Sequence, residues 1–148
     1  MKNSLIIVAT CLLVSLASCN WKNDFYEVGR QPVYLTYPAQ DTVLVLDKQK
    51  PDTLYRFSWT SRRPYIQYNL VLSTNEDLIA PREEVSTGIL KTYYLSARQI
   101  DALLDAMGFA LGERCSVWWS VDVEDPEAGW CDERRKMTIT RFDAPPGE

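Results

Sequence analysis

The sequence predicts a mainly β protein, a sandwich of short strands with one short capped helix. Three observations lead there. Run after run alternates apolar and polar residues with period two. Proline and glycine punctuate the gaps between those runs. A single segment switches to helical spacing.

In order, Val33–Tyr37 is the first strand and is stopped by Pro38. Thr42–Leu46 follows, where β-branched Val43 and Val45 favour extended backbone. Pro51-Asp52 marks the next turn. Within Leu54–Thr60, Tyr55, Phe57 and Trp59 share one face and Arg56 and Ser58 the other, so Trp59 is expected in the core. In Ile66–Ser73, Ile66, Tyr68, Leu70 and Leu72 face one way, while Gln67, Asn69 and Ser73 face the other. Pro64 fits the start of that strand and would be costly inside it. Val85–Leu95 reads as one weaker strand broken at Gly88. Ser96 and Gln99 then form a capping box, ahead of Ile100, Leu103, Leu104 and Met107 at i, i+3, i+4 and i+7. Gly108 supplies the left-handed position that ends this helix, which is expected to close one end of the sandwich. Cys115–Val123 and Arg135–Phe142 read as a terminal hairpin, with Arg134-Arg135-Lys136 protecting a sheet edge. About seven strands and one helix make an immunoglobulin-like β-sandwich the expected architecture.

Composition narrows the chemistry. The 148 residues carry 16 Lys+Arg and 20 Asp+Glu, a net charge of −4, so nucleic acid, which takes a basic face, is not an expected partner. There is no histidine, which removes imidazole general bases and the commonest zinc ligands. Four cysteines are too few and too unevenly spaced for a disulfide scaffold or a Cys₄ metal site. The acidic pairs Glu76-Asp77, Glu83-Glu84 and Glu124-Asp125 lack the cleft that glycoside hydrolysis needs. The acids from Asp122 to Asp132 read as solvated loop charge rather than a calcium site. No enzyme activity, metal or cofactor is expected.

Residues 1–18 read as an address. Lys2 supplies a positive start and Leu5–Leu16 an apolar run, too short for the ~20 residues of a membrane span. The run ends in Leu16-Ala17-Ser18-Cys19, which looks like a bacterial lipobox whose cysteine becomes the lipid-modified first residue. Each buried acyl CH₂ contributes ~0.8 kcal/mol, and two chains anchor stably. Asn20 is compatible with delivery to the outer membrane, and the choice between cell surface and periplasmic face stays open. Trp21, just past the anchor, suits a membrane interface. Residues 19–31 are expected to be the lipidated cysteine and a polar tether, 32–142 the folded domain, and 143–148 a tail.

The chain resembles the N-terminal domain of SusE-type outer-membrane lipoproteins, which belong to glycan-uptake systems. The resemblance lies in the lipobox at Cys19, Val43-Leu44-Val45-Leu46, Phe57-Ser58-Trp59-Thr60 and Tyr68-Asn69-Leu70-Val71-Leu72, together with the Ile100–Leu111 segment ending in Leu-Gly. Val117–Val123 and Met137–Phe142 complete it, so that it covers nearly all of 32–142. It implies an immunoglobulin-like module beside transporter-complex proteins, binding glycan or acting as a spacer. Sugar-binding modules of that family lie C-terminal to this domain, so no binding residues carry over. The alternative is a structural or adhesin-like interaction subunit without carbohydrate binding.

Aromatic residues are the candidate binding groups. Along Cys115–Val123 the odd positions are apolar and predicted inward, which places Trp118 and Asp122 on the outer face. An indole there suits stacking on a pyranose ring, with Asp122 accepting from sugar hydroxyls, or else packing under a loop or partner. Trp130 lies in a Pro- and Gly-containing loop, where aromatics often mark binding. Of Tyr93 and Tyr94 at least one points outward, and Tyr93 is counted among the candidates. Cys115 and Cys131 are the thiols left in the mature chain. An extracytoplasmic compartment permits a disulfide between them. In a simple hairpin, however, they are roughly 20 Å apart at a rise of ~3.3 Å per residue, so only a folded-back loop could join them.

Overall fold

A computed structural model describes residues 29–145. The leader, Cys19, Trp21 and the tether up to residue 28 lie outside the described residues.

The described chain is a β-sandwich. Its strands are β1 (Gln31–Pro32), β2 (Tyr34–Tyr37), β3 (Thr42–Val45), β4 (Leu54–Thr60), β5 (Tyr68–Ser73), β6 (Arg82–Gly88), β7 (Thr92–Ser96), β8 (Arg114–Val123), β9 (Gly129–Trp130) and β10 (Arg135–Thr140). One helix, α1 (Ala97–Ala106), joins β7 to β8. A five-stranded sheet runs β3-β10-β8-β5-β6 and a three-stranded sheet runs β2-β4-β7, with β1 and β9 paired separately. Every pairing is antiparallel except β3 with β10 and β1 with β9.

Alternation builds the core as expected. Phe57 and Trp59 from the small sheet meet Tyr68, Leu70, Leu72, Val117, Trp119 and Val121 from the large one, all buried. Two edge-to-face aromatic pairs join the layers, Phe57 with Trp119 at 5.3 Å and Trp59 with Tyr68 at 5.6 Å between ring centroids.

The helix forms where the capping box places it. The Ser96 side chain accepts from the Gln99 amide at 3.1 Å, and the Gln99 side chain accepts from the Ser96 amide at 2.8 Å. Ile100, Leu104 and Met107 are buried, and Gly108 takes φ +92° just beyond.

Three expectations are corrected. Val85–Leu95 is not one strand. Gly88, at φ +60°, ends β6 on the large sheet, and after Ile89–Lys91 the chain resumes as β7 on the small one. The Arg134-Arg135-Lys136 run does not guard an edge, because β3 lies parallel beside β10 and makes it an inner strand. The Arg135 guanidinium instead donates to the carbonyls of Leu35, Thr36 and Pro38. Finally, Gln31 is not tether but part of β1. Gly129 permits this, since a Cβ there would lie 2.5 Å from the Gln31 carbonyl oxygen.

Candidate functional site

The outer face of the large sheet holds Trp118 and Asp122, as expected. Register puts Lys136, Trp118, Ser73 and Arg82 in one row across β10, β8, β5 and β6. Ser73 Oγ donates to the Ile79 carbonyl at 2.8 Å, so the β5–β6 loop is laid against the sheet beside Trp118. The indole is half-buried. Asp122 is four residues further along β8, roughly 13 Å away at the strand rise. Its carboxylate is held by Arg82 at 3.0 Å, and the same guanidinium reaches the Leu78 carbonyl at 2.9 Å and the Glu84 carboxylate. Val71, between Arg82 and Asp122 in register, is fully buried although it points to the outer face. Trp118 and Asp122 therefore share a face without forming one site.

Trp130 is also engaged. Its indole N–H donates to Asp132 at 2.9 Å, and the Arg30 guanidinium lies over the ring at 4.7 Å. Tyr93 is opposite Phe57 and packs against the core, so its place among the outward candidates is corrected: Tyr94, opposite Arg56, is the exposed ring.

Cys115 and Cys131 are free thiols, so the possible disulfide between them is not formed. Cys115 points into the core opposite Ile139. Cys131 lies 3.6 Å from Ser120 Oγ, on a residue of opposite parity and five positions along β8. Burial, with the Glu113 charge adding to it, pushes the Cys115 thiol up to about 11. Burial also raises Cys131, against hydrogen bonds that work the other way.

A surface absent from the expectations is the outer face of the small sheet. Tyr34, Tyr37, Leu54 and Tyr94 are all exposed on it. Arg56, in register with Tyr94, lies over the Tyr37 ring at 4.7 Å. The Thr36 and Ser58 hydroxyls bond at 2.7 Å between them. Strands β2, β4 and β7 contain no Asp or Glu and a single charge, Arg56. The signal for this face was the parity of Leu54–Thr60, which put Arg56 and Ser58 outward; Tyr37 joins Tyr34 there only through the register shift between Leu35 and Tyr37, which strand parity does not foretell.

These side chains offer flat rings, hydroxyls and one fixed cation, and no paired acid and base. Among the described residues no cluster of metal-ligating side chains forms. In comparisons with known proteins, no family model matches the chain, and neither a curated protein nor a solved structure matches it.

Proposed function

We propose that this chain is a non-catalytic lipoprotein, anchored through Cys19 to the outer membrane, that holds glycan as an accessory of a polysaccharide-uptake system. The observation that carries the reading is the open aromatic face of the small sheet. Tyrosine rings stack on the apolar faces of sugars, and Arg56 and the hydroxyls donate to sugar oxygens. Arg56 over Tyr37 holds both side chains in place before a ligand arrives, which lowers the entropy cost of binding. The SusE-type resemblance and the lipobox support the location. Two packed sheets built mostly of antiparallel pairs are in keeping with the immunoglobulin-like assignment.

The mature chain carrying Cys19→Ser is run by native electrophoresis in gels cast with a panel of polysaccharides. Retardation by at least one glycan, lost in Tyr94→Ala, is expected. Unchanged mobility across the panel would retire glycan holding.

A second reading, a spacer without carbohydrate binding, is favoured by the large sheet, where Trp118 is half-buried and Asp122 is paired with Arg82. Under it, no glycan retards the wild-type chain, so the Tyr94→Ala substitution has no retardation to abolish.

A further inference from the structure

We propose that the end of the sandwich from which the chain leaves toward Cys19 lies on the phospholipid surface, with Tyr65, Ile89 and Leu90 seated among the lipid headgroups. The proposal rests on the lipid anchor of the reading above and adds an orientation and a contact to it.

The exit point is fixed by pairing. Gln31 donates to the Ala128 carbonyl at 3.1 Å and its strand β1 lies beside β9, so residue 30 leaves the fold next to the 124–128 loop. Tyr68 is opposite Val123 and Gly88, which brings the 61–67 and 89–91 loops to the same end. Residues 20–30 reach at most about 40 Å fully extended, and β8 alone, at ~3.3 Å per residue, spans about 33 Å. That reach would span the sandwich, so length alone does not orient it. The exit point makes this end the nearer one to a lipid at Cys19, and the side chains there decide which end meets the bilayer.

The side chains at this end suit that position. Tyr65 is 83% exposed, at φ +59°, a left-handed conformation that costs a non-glycine residue free energy. The fold gains no burial from holding the ring there. Ile89 and Leu90, at the crossing from β6 to β7, are both exposed. Gly88 and Gln67 are neighbours, a Cβ on the glycine lying 3.9 Å from Gln67 Oε1, so the two apolar tips belong to adjacent loops. A tyrosine ring with a polar tip sits well at headgroup depth.

Charge contributes little. Arg62 and Arg63 precede Tyr65, but Arg63 is turned to the Glu127 carbonyl at 3.3 Å, and Lys91 Nζ to the Ser61 carbonyl at 2.7 Å. Glu124, Asp125 and Glu127 are exposed at the same end. The contact is therefore driven by apolar burial and survives high salt, unlike attraction to anionic lipid.

The test uses the ¹⁵N-labelled mature chain with Cys19→Ser, titrated with vesicles of phosphatidylethanolamine containing a minority of phosphatidylglycerol. Line broadening confined to residues 62–67 and 88–91, undiminished in high salt, is expected. Tyr65→Ser with Leu90→Ser should weaken partitioning about tenfold, from the apolar area removed. No broadening, broadening centred elsewhere, or equal partitioning of the double variant would overturn the proposal. The probe lacks Cys19, so the anchor is judged separately, by palmitate incorporation into the wild-type protein. Loop broadening without that label would leave the contact standing and retire the anchor.

Discussion

Arg141 and Asp101 face each other through two parallel hydrogen bonds, Nε to Oδ1 and Nη2 to Oδ2, each 2.9 Å long. The guanidinium is only 3% exposed and is completed by Asp105 at 3.0 Å and the Phe109 carbonyl. Asp101 also accepts from the Phe142 amide at 3.1 Å. This pair ties α1 to the chain just past β10 and so closes one end of the sandwich. Breaking one partner of a buried pair costs about 3–5 kcal/mol, because the other charge stays behind. Asp101→Asn and Arg141→Met are each expected to lower the melting temperature by roughly 10 °C. A shift of a degree or two in thermal melts would show that the pair is not a closure.

The same pair sets a pH dependence. Burial pushes the Asp101 carboxyl up, but hydrogen bonds from Arg141 and the Phe142 amide, together with the guanidinium charge, outweigh it and hold it below the ordinary range. Its contribution is therefore complete above the unfolded value of ~3.9 and is lost as pH falls through the lower folded value. Denaturation midpoints of wild type and Asp101→Asn should converge only below about pH 4. Convergence at higher pH would contradict the assignment.

Cys115 and Cys131 should behave as two slow thiols. Both are free and both are raised above the ordinary thiol range, Cys115 to about 11. A thiol reagent should label half-buried Cys131 before Cys115 in the native protein, and both at once after unfolding. Reductant should leave the melting temperature unchanged. A drop on reduction would mean that a disulfide had formed.

Trp119 bridges the sheets through Phe57, and its indole N–H is buried without a partner. Trp119→Ala should cost about 3–5 kcal/mol by cavity formation. Trp119→Phe should cost much less, since it keeps an aromatic ring and removes an unsatisfied donor. Chemical denaturation of the two variants separates packing from polarity, and equal losses would contradict this account.

Arg135 pins β2 through three carbonyls. Arg135→Met should speed hydrogen exchange in Tyr34–Tyr37 by at least about tenfold, roughly the loss of one charge-assisted hydrogen bond. Exchange in β5 and β8 should stay the same. Uniform acceleration would mean global destabilisation instead.

Much of the fold was legible because burial on one face writes itself into alternation. Phe57 and Trp59 inward, the Ile66–Leu72 face, inward Trp119 and the Ser96–Gln99 cap all follow from local spacing. Pairing between distant strands leaves no such trace. Nothing near Arg135 announces that β3 will lie beside β10, so a run of cations resembled an edge. The break at Gly88 was visible in Val85–Leu95, but not that the chain changes sheet there, and Tyr93 was counted a candidate when Tyr94 is the exposed ring. The parity of Trp118 and Asp122 was right. What parity cannot tell is that Arg82, two strands away, reaches Asp122, or that the β5–β6 loop lies beside the indole. The small-sheet face was half visible, in Arg56 and Ser58, but its tyrosines come from strands that only tertiary pairing brings together.

The most direct measurement is chemical-shift mapping of the labelled mature chain, Cys19→Ser, with oligosaccharides cut from whichever polysaccharide retards it most. The account predicts shifts confined to Tyr34–Tyr37, Leu54–Thr60 and Thr92–Ser96, and none at Trp118, Asp122 or Trp130 side chains. Shifts centred on β8 or Trp130, or a spectrum unmoved by any glycan, would contradict it.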